Sequence, residues 1–169
     1  MSKLLFIFSL MLSLLLTGYG QLPHVVAKKG AQWVPFPKTK DIQHVYVVYG
    51  LAARSYSPKK QSKTIAQIEN WLTKTQPVSI QLPPPPNPPI ITNANTNPAK
   101  LVLQLSSKQQ ILISPAYYMS GHSQEPKALY HFVSGVISYQ IKNKTLYFKE
   151  KDLYNWLKNN QWKDEFSTN

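Results

Sequence analysis

The 169-residue chain has room for one ordinary domain and not for two sizeable ones. Nineteen Lys and Arg against seven Asp and Glu give a formal charge of +12, yet 43% of the residues are hydrophobic, which excludes a disordered polyelectrolyte. With no cysteine, the chain cannot form a disulfide scaffold, a thiolate metal site, an iron–sulfur cluster or a cysteine nucleophile.

Lys3, the apolar run Leu4 to Leu16 and the small residues behind it have the three parts of a secretory signal. The run is shorter than the roughly 20 apolar residues that a membrane-crossing helix requires. Export is therefore expected, with cleavage after Gly18, Gly20 or Ala27, or retention of the segment as a membrane tether. Leu16-Thr17-Gly18-Tyr19 has the form of a bacterial lipobox with tyrosine in place of the lipidated cysteine, so no lipid anchor is expected.

Residues 28–41 read as a basic extended arm. Pro35 and Pro37 bar a regular helix, and Trp33 and Phe36 are the side chains able to pin the arm to a domain. Ile42 to Gly50 is β-branched and aromatic throughout and predicts a central strand, with Leu51 to Tyr56 as its hairpin partner. Thr64-Ile65-Ala66-Gln67 has the spacing of a capping box. Ile65, Ile68 and Leu72 then fall on one face, predicting a helix over about 64–74. Eight prolines between residues 77 and 98 predict a long loop with polyproline segments at Pro83–Pro86 and Pro88–Pro89.

Leu101, Leu103 and Leu105, then Ile111 and Ile113, alternate with other residues and predict a hairpin with one buried face. Residues 115–131 read as a second long loop. Val133, Ile137, Tyr139 and Ile141 predict a strand over 132–141, and a turn at 142–144 leads to another over 145–148. Leu153, Trp156 and Leu157 predict a helix over about 150–161, with Glu150 and Asp152 in its first turn, where the helix dipole favours acids. The expected organisation is a signal over 1–27, the arm over 28–41, one α+β domain over 42–162 and a flexible tail over 163–169. The expected fold is an antiparallel sheet of about five to six strands packed by two helices, with a long proline-rich loop.

Catalytic motifs are absent from the sequence. Ser120 and His122 lie close in the chain, with His131 nine residues further on, but no G-x-S-x-G elbow is present. No two histidines have metal-ligand spacing, and no glycine loop is built to cradle phosphate. A secreted hydrolase using His122 as base is thus the weakest of three readings, and neither catalytic residue, metal nor cofactor is assigned. Charge is more informative. Residues 28–63 carry eight basic residues, Lys28, Lys29, Lys38, Lys40, Arg54, Lys59, Lys60 and Lys63, against the single acid Asp41. Such a field concentrates polyanions. For an exported chain these are an anionic envelope polymer or a lipid surface. Nucleic acid is disfavoured by export and by the presence of only one arginine, the residue that reads guanine. Tyr117 and Tyr118 are the aromatics least readily explained by packing, and they join the eight basic residues as candidate binding residues. The P-x-x-P spacing of residues 83–89 supports a third reading, a protein-interaction or inhibitor module with a protein partner.

The strand Ile42 to Tyr49, the helix around Thr64-Ile65 to Leu72, the proline-rich approach to Leu101-Val102-Leu103-Gln104-Leu105 and the closing helix at Leu153 to Leu157 together resemble small exported proteins, often lipoproteins, of Bacillus-like Gram-positive bacteria. The resemblance covers about 42–160. It implies an envelope location and this fold, and carries no catalytic residue. The chain departs from it in lacking the lipid-bearing cysteine and in its proline insert.

Overall fold

The computed structural model describes residues 24–27, 36–50, 52–84, 97–120 and 129–168. The strands are β1 (His24–Ala27), β2 (Ile42–Tyr49), β3 (Arg54–Pro58), β4 (Gln76–Gln81), β5 (Lys100–Leu105), β6 (Gln110–Ser120), β7 (Leu129–Ile141), β8 (Lys144–Lys149) and β9 (Phe166–Thr168). Helix α1 spans Gln61–Thr73 and α2 spans Lys151–Lys158, with short 3-10 turns at Thr39–Asp41 and Gln161–Asp164. All nine strands form one sheet in the order β1-β4-β8-β7-β6-β5-β2-β3-β9. Every neighbouring pair is antiparallel.

The expected fold is therefore corrected. The described residues are mostly sheet, with nine strands among them rather than five to six. The six expected strands are β2, β3, β5, β6, β7 and β8. The three additional ones have weak local signals. β1 falls within the segment read as an export signal. β4 opens the proline-rich stretch, and Pro77, which has no N–H to donate, sits in it between Gln76 and Val78. β9 is three residues long and pairs with β3 through Phe166 opposite Pro58. Residues 85–96, which hold most of the expected proline-rich loop, lie outside the described residues, as do the signal residues 1–23 and Lys28 and Lys29.

The meander β5-β6-β7-β8 forms the middle of the sheet. Helix α1 carries the chain from β3 across to β4, and α2 carries it back from β8 to β9; each connection joins strands that run in the same direction. Both helices cover the same face. Val45 and Val47 of β2, Leu101 and Leu103 of β5, Ile111 and Ile113 of β6, and Ile137 and Tyr139 of β7 meet Ile65, Ile68 and Leu72 of α1 and Leu153, Trp156 and Leu157 of α2. Phe36 is pinned here, edge-on to Tyr139 at 5.4 Å and to Phe148 at 5.2 Å. Trp162 is completely buried, with Tyr49 and Tyr56 against its ring. The Tyr139 hydroxyl, also buried, has no hydrogen-bond partner among the described residues, and burial pushes its pKa up to about 12. A second cluster, Val78, Ala116, Val133 and Val136, lies apart from this core.

Two local expectations are also revised. Helix α1 begins at Gln61, three residues before the expected start, and Lys60 is its N-cap. Thr64 is buried inside the first turn, where its hydroxyl donates to the Lys60 carbonyl (3.2 Å), so it forms no capping box with Gln67. Val133 does not share a face with Ile137 and Tyr139. The register of β6 and β7 breaks between Pro115 and Tyr117, and Gly135, with φ of 69°, bends β7 beside the break.

Candidate functional site

The register places the basic residues at definite ends of the sheet. One row of pairs runs from β2 through β8: Val45 opposite Leu103, Leu103 opposite Ile111, Ile111 opposite Ile141, and Ile141 opposite Lys144. Just past this row the chain enters β2, leaves β3, and makes the β5–β6 and β7–β8 turns. Lys38 caps the 3-10 turn before β2 and Lys40 lies within it, Lys59 and Lys60 follow β3, and Lys63 lies in the first turn of α1. Lys108 lies in the β5–β6 turn, Lys142 in the β7–β8 turn, and Lys144 opens β8 directly after it. All eight lysines are exposed. The strand spacing of about 4.8 Å spreads them over roughly 24 Å between β3 and β8.

Hydrogen bonds fasten this end. The Gln61 side chain donates to the Gln43 carbonyl at 2.9 Å, which holds the start of α1 against β2. The Lys59 ammonium donates to the Asp164 carbonyl at 3.0 Å. Thr39 donates to the Glu69 carboxylate, tying the Lys38–Lys40 turn to α1. The Asp41 carboxylate accepts from the Lys38 N–H at 3.3 Å, and Glu165 accepts from the Trp156 indole N–H at 3.1 Å. The carboxylates of Asp41, Glu69 and Glu165 are thus engaged with uncharged groups, and among the described residues no ion pair neutralises the eight lysines.

Two features of this end work against stability. The first turn of α1 contains no acid; Lys60 at the N-cap and Lys63 in the turn stand where the positive end of the helix dipole repels them. Lys108 and Lys142 both hold left-handed backbone, with φ of 64° and 52°, in turns where glycine or asparagine would be less strained. The tight turns set this backbone conformation, and nothing in the fold requires lysine at either position.

Of the candidate basic residues, the structure brings together Lys38, Lys40, Lys59, Lys60 and Lys63. Arg54 lies at the opposite end, directly across from Tyr49. Lys108, Lys142 and Lys144 were not anticipated, because isolated turn lysines carry no sequence signal until the topology gathers them.

Tyr117 and Tyr118 are on a strand rather than in a loop. Beyond the register break, β6 and β7 continue as a two-stranded arm with Tyr117 opposite Phe132 and Tyr118 opposite His131. The Tyr117 ring meets Tyr130 at 5.1 Å, and burial, then the nearby Tyr130, raises its pKa. Tyr118 stacks on His131 at 4.8 Å with an interplanar angle of 15°. Both half-buried tyrosines are therefore engaged in packing, away from the lysines. The Ser120 hydroxyl is 2.5 Å from Nε2 of His131, so the nearby histidine is 131; His122 lies outside the described residues. Among the described residues no carboxylate is bonded to His131, and no group of three His, Asp or Glu is placed to hold a metal ion. No helix among them is long and apolar enough to cross a membrane.

No family model, curated protein or solved structure matches the chain.

Proposed function

We propose that this chain is an exported, non-enzymatic protein that attaches to an anionic, phosphate-bearing surface of the cell envelope through the lysines at the turn end of its sheet. The observation that carries this reading is the convergence of eight exposed lysines from four separate chain segments onto that one end. Lysine is a hydrated point charge, suited to a diffuse polyanion more than to the forked, bidentate recognition at which arginine excels. The lysines stand at turn tips spread over the width of several strands, an arrangement that meets a broad surface. Each lysine held near an anionic bilayer contributes about 1 kcal/mol, so a few simultaneous contacts give useful attachment. The same lysines would attract nucleic acid; the signal-like Leu4 to Leu16 run argues for a different compartment.

Co-sedimentation of the protein with anionic liposomes, neutral liposomes and wall fragments tests this. Binding to the anionic surfaces is expected at low salt and should disappear above roughly 0.5 M salt, where charges are screened within a few ångströms. Reversing Lys59, Lys60 and Lys63 to glutamate should abolish sedimentation, whereas reversing Arg54 and Lys100 at the other end should leave it nearly intact. Equal loss from both variants would leave only non-specific charge attraction.

A further inference from the structure

We infer that the export cut falls upstream of His24, at Gly18-Tyr19-Gly20, because residues 24–27 are part of the folded sheet. This rests on the exported reading for the existence of the cut and on the strand pairing for its position. Two segments compete as the cleavage site. Val25-Val26-Ala27 ends in a small residue, and so does Gly18-Tyr19-Gly20. In the second, both specificity positions are glycine, and it begins two residues after the apolar run ends at Leu16. Sequence alone allows either.

The pairing of β4 separates them. Strand β4 is held on one side by β8 through only three pairs, Gln76 with Lys149, Pro77 with Phe148 and Val78 with Tyr147. From Ser79 onward β8 provides no partner. Ser79, Ile80 and Gln81 pair instead with Val26, Val25 and His24, and Val78 pairs with Ala27. The second half of β4 is thus a strand only because β1 lies beside it. Ile80 and Leu82, which follow from that pairing, pack on the second apolar cluster of Val78, Ala116, Val133 and Val136. A cut after Ala27 would remove all of β1, strip Ser79–Gln81 of their only strand partner among the described residues and leave a bare edge immediately before Pro83 and Pro84, an arrangement that invites pairing with other chains. A cut after Gly18 or Gly20 leaves β1 intact, preceded by a few residues.

Two measurements test this. The first is the intact mass of the chain recovered from the envelope and medium of a Gram-positive host expressing all 169 residues. A mature chain beginning at Tyr19 or Gln21 is expected. A chain beginning at Lys28 overturns the inference while leaving export standing. A chain that keeps Met1 overturns the cut, and if it is found in the cytosol the exported reading goes with it. The second is independent of export and compares purified chains that begin at Gln21 and at Lys28. In the Gln21 chain the amides of Ser79–Gln81 should exchange at least about tenfold more slowly than in the Lys28 chain. The Lys28 chain should also melt lower and self-associate. Equal exchange and equal melting would show that β1 is dispensable, and unprotected Ser79–Gln81 amides in the Gln21 chain would show that the pairing does not form.

Discussion

Glu150 faces opposing demands. Its carboxylate caps α2 by accepting from the Leu153 N–H, yet the side chain is buried. Burial raises its pKa from the ordinary 4.5; the Leu153 N–H opposes this, the neighbouring Asp152 charge reinforces it, and Lys74 opposes it weakly. A carboxyl whose folded pKa lies above its unfolded value favours the fold most when protonated. Its contribution is complete below the unfolded pKa and declines as pH rises through the folded one. Glu150→Gln keeps an acceptor for the Leu153 N–H without the desolvated charge. Urea denaturation between about pH 3 and about pH 7 should therefore show the variant at least as stable as the parent at neutral pH, with the gap closing toward pH 4. A gap that does not change with pH would mean that the charge is not what distinguishes the two side chains.

The bend in β7 is a device of the strand as a whole. Four residues, Val133 to Val136, face the single unpaired Ala116 across the register break, and the Gly135 carbonyl accepts from the Glu150 N–H at 2.9 Å. The bend thereby aims the start of α2 and transfers Val133 from the helix-covered face to the second apolar cluster. Gly135 has left-handed backbone with open space where a Cβ would stand, so substitution costs backbone strain without steric clash. Gly135→Ala should lower stability by about 1 kcal/mol and Gly135→Asn by less, since asparagine tolerates this region better; chemical denaturation measures both. An alanine variant as stable as the asparagine one would place the bend elsewhere. This local bend also explains why alternation read the strand correctly but assigned Val133 to the wrong face. A β-branched and aromatic run revealed β2, and alternation revealed the β5–β6 hairpin and β7, where Leu101 and Leu103, Ile111 and Ile113, and Ile137 and Tyr139 are buried two apart. Apolar residues at helical spacing likewise revealed both helices. It missed β4, where only Val78 and Ile80 alternate before the prolines begin, and β9, where only Phe166 is buried. The β6–β7 arm was also misjudged, because Tyr117, Tyr118 and Met119 pair across it with the half-buried Phe132, His131 and Tyr130 and lack a clean apolar face.

At the scale of the molecule, the candidate site was half legible. Lys38, Lys40, Lys59, Lys60 and Lys63 stood out as a basic run, and the fold keeps them together. Arg54 belonged to the same run but is carried to the opposite end by the direction of β3. Lys108, Lys142 and Lys144 are distant in sequence and join the others only because the meander returns its turns to one end. Two of these three, Lys108 and Lys142, also occupy strained backbone. Strained residues that persist without a folding role tend to be retained for function. If that is their reason for being lysine, stability and attachment should respond oppositely to one substitution. Lys108→Gly with Lys142→Gly relieves two left-handed non-glycine positions and should raise stability by about 1 kcal/mol for each. The same double variant removes two charges from the proposed attachment surface and should weaken binding to anionic liposomes at low salt by about fivefold for each lysine. The pair Lys144→Gln and Lys100→Gln supplies the comparison, since neither residue has positive φ and only Lys144 stands at the turn end: the first should weaken binding without stabilising, and the second should do neither. A double glycine variant that is stabilised but binds liposomes as well as the parent would detach the strain from the charge and leave these two turns outside the contact surface.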